Sequence, residues 1–163
     1  MDVGKMFSFF RKKRIVLMSY MSGKVIPIEE VEDEVFSSKA LGKGIAIEPQ
    51  NGIITAPCDG EISVLMEESC HAIGLTLENG AMLLIHEGID TVGMKGKGFH
   101  YLVKEGQKVK AGDKLLQFDR DEIKKQGYKT TCILVVANSD DFPELKFHTG
   151  MNAIQDKTVI AEF

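Results

Sequence analysis

"HAIGLTLENGAMLLIHEGIDTV", His71 to Val92, is a run of alternating apolar residues broken by one Asn-Gly, with a histidine at its start and another near its end. Asn-Gly favours the type I′ turn, in which both central residues need positive φ. With Asn79 and Gly80 as a two-residue loop, Glu78 faces Ala81 and Ile73 faces His86. Side chains alternate along a strand, so this register puts His71, Ile73, Leu75 and Leu77 on one face with Met82, Leu84 and His86. The histidines then become diagonal cross-strand neighbours on a largely apolar face, roughly 7–8 Å apart at the backbone. A turn displaced by one residue would break that parity.

Outward from this hairpin the text stays β. Short apolar stretches such as "KVIPI", "GIAIEP", "GIITAP", "GEISVLM", "YLVKEG", "KVKAGDKLLQF", "TTCILVVAN" and "KTVIAEF" alternate with Gly, Asn, Asp and Pro. Turns every eight to twelve residues predict a sandwich or barrel of short strands. "DRDEIKKQG" (Asp119–Gly127) reads as a helix, with acidic residues first, lysines near its end and a glycine after. "DDFPEL" (from Asp141 to Leu145 at its core) suggests a single further helical turn. "SGKVIPIEE" (Ser22–Glu30) resembles "DGEISVLMEE" (Asp59–Glu68), each a turn glycine feeding a strand, which points to a duplicated β unit.

The chain's 163 residues suffice to bury a core, and one domain over residues 15–163 is expected behind a short tail. Residues 1–14 hold Lys5, Arg11, Lys12, Lys13 and Arg14 against Asp2 alone, so the rest of a chain of net charge −4 is decidedly acidic. An acidic body repels phosphates, which argues against nucleic acid as a partner. Within the tail, Val3, Met6, Phe7 and Phe10 fall on one stripe of a short helix among basic residues. Such a segment would suit weak contact with an anionic membrane surface; the plainer reading is a solvated tail. No apolar run is long enough to span a bilayer, and no signal peptide is legible. Three cysteines without CxxC spacing argue against a disulfide scaffold and fit a reducing cytoplasm.

Two imidazoles on a dry face admit three readings. They can be satisfied structural histidines at the end of a β face. They can ligate a metal, with Asp90 or Glu87 as further donors, although no HExxH or His-x-His is present. Or one neutral ring can attack while the other hydrogen-bonds the group being transferred. The residue pattern leaves these open.

Four stretches carry a resemblance that separates them. "EEVEDEVFSSKALGKGIAIEP" (Glu29–Pro49), "HAIGL" (His71–Leu75), "LLIHEGIDTVGMKGKGF" (Leu83–Phe99) and "VKEGQKVKAGDKLLQFD" (Val103–Asp119) resemble, in the same order, the glucose-type IIA family of the bacterial phosphoenolpyruvate:sugar phosphotransferase system. "APCDGEI" (Ala56–Ile62) fits as well. The resemblance implies an all-β fold, an antiparallel sandwich or distorted barrel with a duplicated hybrid motif and one or two short helices. It implies a cytoplasmic phosphocarrier without a cofactor, which accepts a phosphoryl group from HPr and passes it to a IIB domain of a glucose-type sugar permease. Regulatory binding of other proteins in the dephospho state is also implied. His86 takes the position of the phosphoacceptor and His71 that of the ring steadying the phosphoryl group. Ser69 would orient His71, and the Gly88 carbonyl would hold Nδ1 of His86. Val35, Phe36, Leu41 and Val92 fall at positions of an apolar rim around the site, and Asp33 and Asp90 at flanking acidic positions. Zinc between His71 and His86 would be adventitious.

Two departures stand out against this family. Glu87 follows the phosphoacceptor where an apolar residue is usual, and strand alternation points it away from His86. "SVLMEESCH" is one residue longer than typical, which predicts a bulge just before His71 and a displaced Ser69. Two other classes compete. "EGQKVKAGD" is similar to biotinyl and lipoyl carrier hairpins, but the modified lysine has no match and the histidines stay unexplained. A zinc hydrolase on a similar scaffold lacks its His-x-His.

Overall fold

The computed structural model describes residues 14–163. The described chain runs β1 (Val16–Met18), β2 (Gly23–Pro27), α1 (Glu34–Ser37), β3 (Lys43–Ile47), β4 (Ile53–Thr55), β5 (Gly60–Leu65), β6 (Ala72–Leu77), β7 (Met82–Ile89) and β8 (Phe99–Tyr101). It continues through β9 (Lys108–Val109), β10 (Lys114–Phe118), α2 (Arg120–Lys125), β11 (Lys129–Val136), β12 (Lys146–Phe147), β13 (Asn152–Ala153) and β14 (Val159–Glu162). Eight strands form one sheet in the order β13-β2-β3-β11-β7-β6-β5-β9. Two three-stranded sheets, β4-β10-β8 and β1-β14-β12, complete the set, and every pairing is antiparallel. The sandwich of short strands is thus as expected, and the sheets stay open, short of a closed barrel.

The duplication is visible in the sheet order. β2, from the first repeat, lies second from one edge, and β5, from the second, lies second from the other. Their hairpin partners β3 and β6 flank the central pair β11 and β7.

The large sheet has two apolar faces because residues alternate along its strands. Ile45, Ile47, Ile73, Leu83, Ile85 and Leu134 face the main core, which the small sheets close with Leu17, Ile54, Leu116, Phe118 and Ile160. Ala46, Ile133 and Val135 face the other way and join Ile28, Val31, Phe36 and Ile89 in a second, smaller cluster. That cluster is covered by the segment between β2 and β3. Asp33 caps α1, its carboxylate accepting from the Val35 amide at 2.9 Å.

The helix expected over Asp119–Gly127 is present as α2, with Asp119 accepting from the Glu122 amide at 3.1 Å. The turn expected at Asp141–Leu145 begins earlier, as a tight 3₁₀ turn over Ser139–Asp141. α1 has no counterpart among the expected elements. The basic stripe of residues 1–14 lies outside the described residues apart from Arg14. No helix among the described residues is long and apolar enough to cross a membrane.

Glu87 departs from the apolar logic of β7. As alternation requires, it points away from His86 into the main core, opposite Cys132, and is fully buried. Neither carboxyl oxygen meets a hydrogen-bonding N–H or O–H; the weak Cys132 thiol donor and the charge of Arg120 are what act on it favourably. Desolvation holds its pKa well above the ordinary carboxylate value, against a smaller opposing pull from Cys132. A raised folded-state pKa means that the native protein binds this proton more tightly than the unfolded chain. Its contribution to stability is therefore fully present below the ordinary carboxylate value and is lost as pH rises from there toward the raised folded value. A Glu87→Met variant should gain about 1–3 kcal/mol at pH 7 by removing the unsatisfied group. Urea melts should show that gain widening between pH 4 and pH 7; a variant less stable than the parent at pH 7 would contradict this account.

Candidate active site

The hairpin that carries both histidines forms, in a register one residue from that expected. Ile73 pairs with Ile85 and Ala72 with His86. The loop has three residues, Glu78 to Gly80, with the Leu77 amide donating to the Ala81 carbonyl at 2.9 Å. Only Gly80 takes positive φ, at 87°. This is the three-residue connection that ends on a left-handed glycine, in place of the two-residue type I′ turn. The slip puts His86 on the face opposite Ile73 and Leu75, beside Phe36, Ile133 and the smaller cluster.

His71 still reaches it. β6 begins only at Ala72, and the chain enters it through Cys70 in a left-handed conformation, φ 53°. His71 therefore stands outside the strand, and alternation does not dictate its direction. Its carbonyl accepts from the Glu87 amide at 2.8 Å, tying it to β7. The two imidazole centroids are 4.6 Å apart with the ring planes crossed at 88°. Phe36 packs against the other side of His86, centroid to centroid 5.0 Å.

Each ring is held at Nδ1. That of His86 donates to the Gly88 carbonyl at 2.8 Å. A carbonyl only accepts, so the proton sits on Nδ1 and the Nε2 lone pair is free. The arrangement requires glycine at 88: its φ is 79°, and a Cβ there would lie 2.3 Å from Thr91 Cγ2. Thr91, buried, braces the same bend by donating from Oγ1 to the Glu87 carbonyl at 2.5 Å. Nδ1 of His71 lies 2.7 Å from Ser69 Oγ. A serine hydroxyl can donate here, which leaves the His71 proton on Nε2 as a donor toward a ligand.

The extra residue of "SVLMEESCH" does not displace Ser69. The register of β5 against β6 shifts between Ile62 and Val64, so the bulge is absorbed upstream, mid-strand, and not directly before His71.

Both rings are neutral at physiological pH. Burial lowers the His71 pKa below the ordinary imidazole value. Burial and then the neighbouring His71 lower that of His86 to about 4, against upward pulls from the Gly88 carbonyl and Asp33. An unprotonated Nε2 in an apolar hollow is a competent nucleophile.

The remaining expected site residues divide by exposure. Val35 and Val92 are more than half exposed and Leu41 is exposed as well, whereas Phe36 is buried as a wall of the hollow. Asp33 is half-buried at the start of α1 and Asp90 is exposed at the bend after β7, with φ 61°. Among the described residues, no three His, Cys, Asp or Glu side chains converge as metal ligands. Thr91 escaped the reading from sequence; a hydroxyl residue four places after Glu87, whose carbonyl it bonds across the Gly88 bend, is the signal that could have found it.

An antiparallel sandwich thus holds two neutral, crossed imidazoles side by side, one ring with a free lone pair. Residues 15–142 match the family described as phosphoenolpyruvate-dependent sugar phosphotransferase system, EIIA 1, and the chain belongs to that family. It is 41% identical over 144 residues to the glucose-specific EIIA component of Bacillus anthracis, covering 88% of this chain and 87% of that one. It is also 41% identical over 129 residues to the β-glucoside-specific EIIBCA component of Bacillus subtilis strain 168, covering 79% of this chain but 21% of that one. Among solved structures, the glucose permease IIA from Mycoplasma capricolum superimposes with a TM-score of 0.80 at 32% identity, covering 94% of this chain and 97% of that one.

Proposed function

We propose that His86 carries a phosphoryl group on Nε2, taken from phospho-HPr and handed to a IIB domain of a glucose-type sugar permease, in the cytoplasm. The observation that carries this reading is the crossed pair of imidazoles at 4.6 Å, with the nucleophile's Nδ1 tied to a carbonyl. In loading, the N–P bond of the donor breaks and a bond from His86 Nε2 forms along the same line. No proton leaves, because Nδ1–H stays on the Gly88 carbonyl, which also steadies the positive charge that the phosphorylated ring acquires. His71, oriented by Ser69, donates from Nε2 to the phosphoryl oxygens. Val35, Leu41 and Val92 seal the rim against water when a partner docks, with Phe36 as the wall beneath them. Asp33 and Asp90 steer a basic partner surface.

The IIB partner is supported by relatives in which a similar segment is one part of an EIIBCA or EIICBA component. We assign residues 15–163 to a single carrier domain, without a cofactor. Incubation with phosphoenolpyruvate, the general phosphotransferase enzyme and HPr should add one acid-labile, base-stable phosphate per chain. No incorporation, or phosphate that survives acid, would overturn the proposal.

A further inference from the structure

The loop that presents Ser69 and His71, residues 66–71, is closed by a side chain from a different sheet. β5 and β6 are last paired at Leu65 and Ile73, so the next rung of the ladder would join Met66 to Ala72. That rung is not a direct backbone bond. The Tyr101 hydroxyl, reaching in from β8, stands between the two strands: it accepts from the Met66 amide at 2.9 Å and donates to the Ala72 carbonyl. A single phenolic oxygen thus serves the last donor of one strand and the first acceptor of the next. It holds them apart by the width of one hydroxyl, where a direct bond would draw them together.

The opening so made has a fixed shape. Inside it the Cys70 amide turns back onto the Met66 carbonyl at 2.7 Å, and Cys70 takes its left-handed conformation. On the outside, the turn after β7 presses close, since a Cβ on Gly96 would lie 2.9 Å from the Glu68 carbonyl. Ser69 and His71 both project from this closed loop and are buried. Ala72, whose carbonyl the phenol holds, is the residue paired with His86. One hydroxyl therefore fixes the start of the strand that sets the spacing of the two rings. The rest of the phenol packs at the margin of the main core, and its hydroxyl is bonded to the backbone of Met66 and Ala72 and to neither imidazole, so Tyr101 belongs to the frame of the site.

We propose that Tyr101 is a positioning residue for phosphoryl transfer, acting through loop 66–71 to set the orientation of His71 against His86. This rests on the reading of His71 as the ring that steadies the phosphoryl group. Removing the hydroxyl leaves the Met66 amide and the Ala72 carbonyl to find each other or water, and either changes the width of the loop mouth. A displacement of His71 by even a fraction of an ångström is felt in transfer, because the step depends on the alignment of donors with the moving oxygens.

The test is a cycle of Tyr101→Phe, His71→Ala and the double variant, with single-turnover transfer from the phosphorylated protein to a IIB domain as the rate and ¹⁵N signals of the imidazoles as the probe. Phenylalanine keeps the ring and its packing. Tyr101→Phe should slow transfer about tenfold in the parent and shift the His71 nitrogen signals while those of His86, held by Gly88, stay in place. On the His71→Ala background the same change should alter the rate less than about twofold, since the route through His71 is already gone. Equal slowing in both backgrounds, or unchanged His71 signals in Tyr101→Phe, would overturn the inference. Should His71→Ala alone transfer at the parent rate, it is the role of His71 that fails, and the ¹⁵N signals still decide whether Tyr101 orients that ring.

Discussion

His86→Ala should take up no phosphate from phosphoenolpyruvate, the general enzyme and HPr, a loss of more than about a thousandfold in rate under conditions that label the parent fully. The expectation follows from the tautomer. Gly88 accepts from Nδ1 and thereby leaves His86 Nε2 with a lone pair and no proton. His71 has no such carbonyl on its Nδ1: its partner there is the Ser69 hydroxyl, which by donating keeps the proton on Nε2 and suits this ring to steady the phosphoryl group rather than to accept it. The pH profile of loading provides a second measurement on the parent protein. With the His86 pKa lowered to about 4 by burial and by His71, the nucleophile is unprotonated from neutral pH well down into the acid range. Initial rates should therefore stay level between pH 8 and about pH 5, where an ordinary imidazole would already be mostly protonated. The same displacement acts on stability with a fixed sign. A histidine kept neutral by the fold lowers stability as pH falls from the unfolded imidazole value toward about 4. Labelling of His86→Ala to parent levels, or a loading rate that halves near pH 6.5, would refute the assignment.

His71→Ala should separate loading from delivery. The nucleophile, its tautomer and the Phe36 wall all stay, so an excess of phosphorylated donor should still bring the variant to one phosphate per chain, more slowly. Onward transfer to a IIB domain should fall about a hundredfold, the scale seen when one donor aimed at developing oxygen charge is removed from a dry site. A proton titration offers an independent check. His71 is among the causes that hold the His86 pKa down, and its ring is part of what keeps water out. Its removal should move the His86 pKa upward, toward the ordinary imidazole value, as followed by ¹⁵N signals across pH. Unchanged delivery together with an unmoved His86 titration would rule out any part for His71.

The reading from sequence reached the architecture because apolar alternation and turn residues are local signals. Strands over residues 23–27, 43–47, 60–65, 72–77, 82–89 and 129–136 follow directly from them. It also reached the histidine pair, but by a route that the fold does not take. The Asn-Gly pair suggested a two-residue loop, whereas Glu78 joins the turn and moves every partner by one place. A one-residue slip should have sent the rings to opposite faces. They meet because Cys70 takes positive φ just before the strand begins, and no pattern in "ESCH" announces a left-handed cysteine. α1 was hidden for a similar reason. Its four residues are too few for helical periodicity, and its one clear mark is the Asp33 cap. Side chains acting across sheets, such as Tyr101 on the loop before β6, lie 29 and 35 residues from what they hold and leave no trace in local pattern. Glu87 was legible as an anomaly and as a direction, but its orphaned carboxyl oxygens depend on which neighbours the fold assembles around it.

The eight-stranded sheet ends on β13 and β9, strands of two residues each. Such stubs offer almost no free ladder onto which a foreign strand could zip, and β9 further carries a lysine. For a molecule with Val35, Leu41 and Val92 exposed, this matters for its behaviour in a crowded cell. Strand-to-strand association with other chains is thereby discouraged at both ends of the sheet.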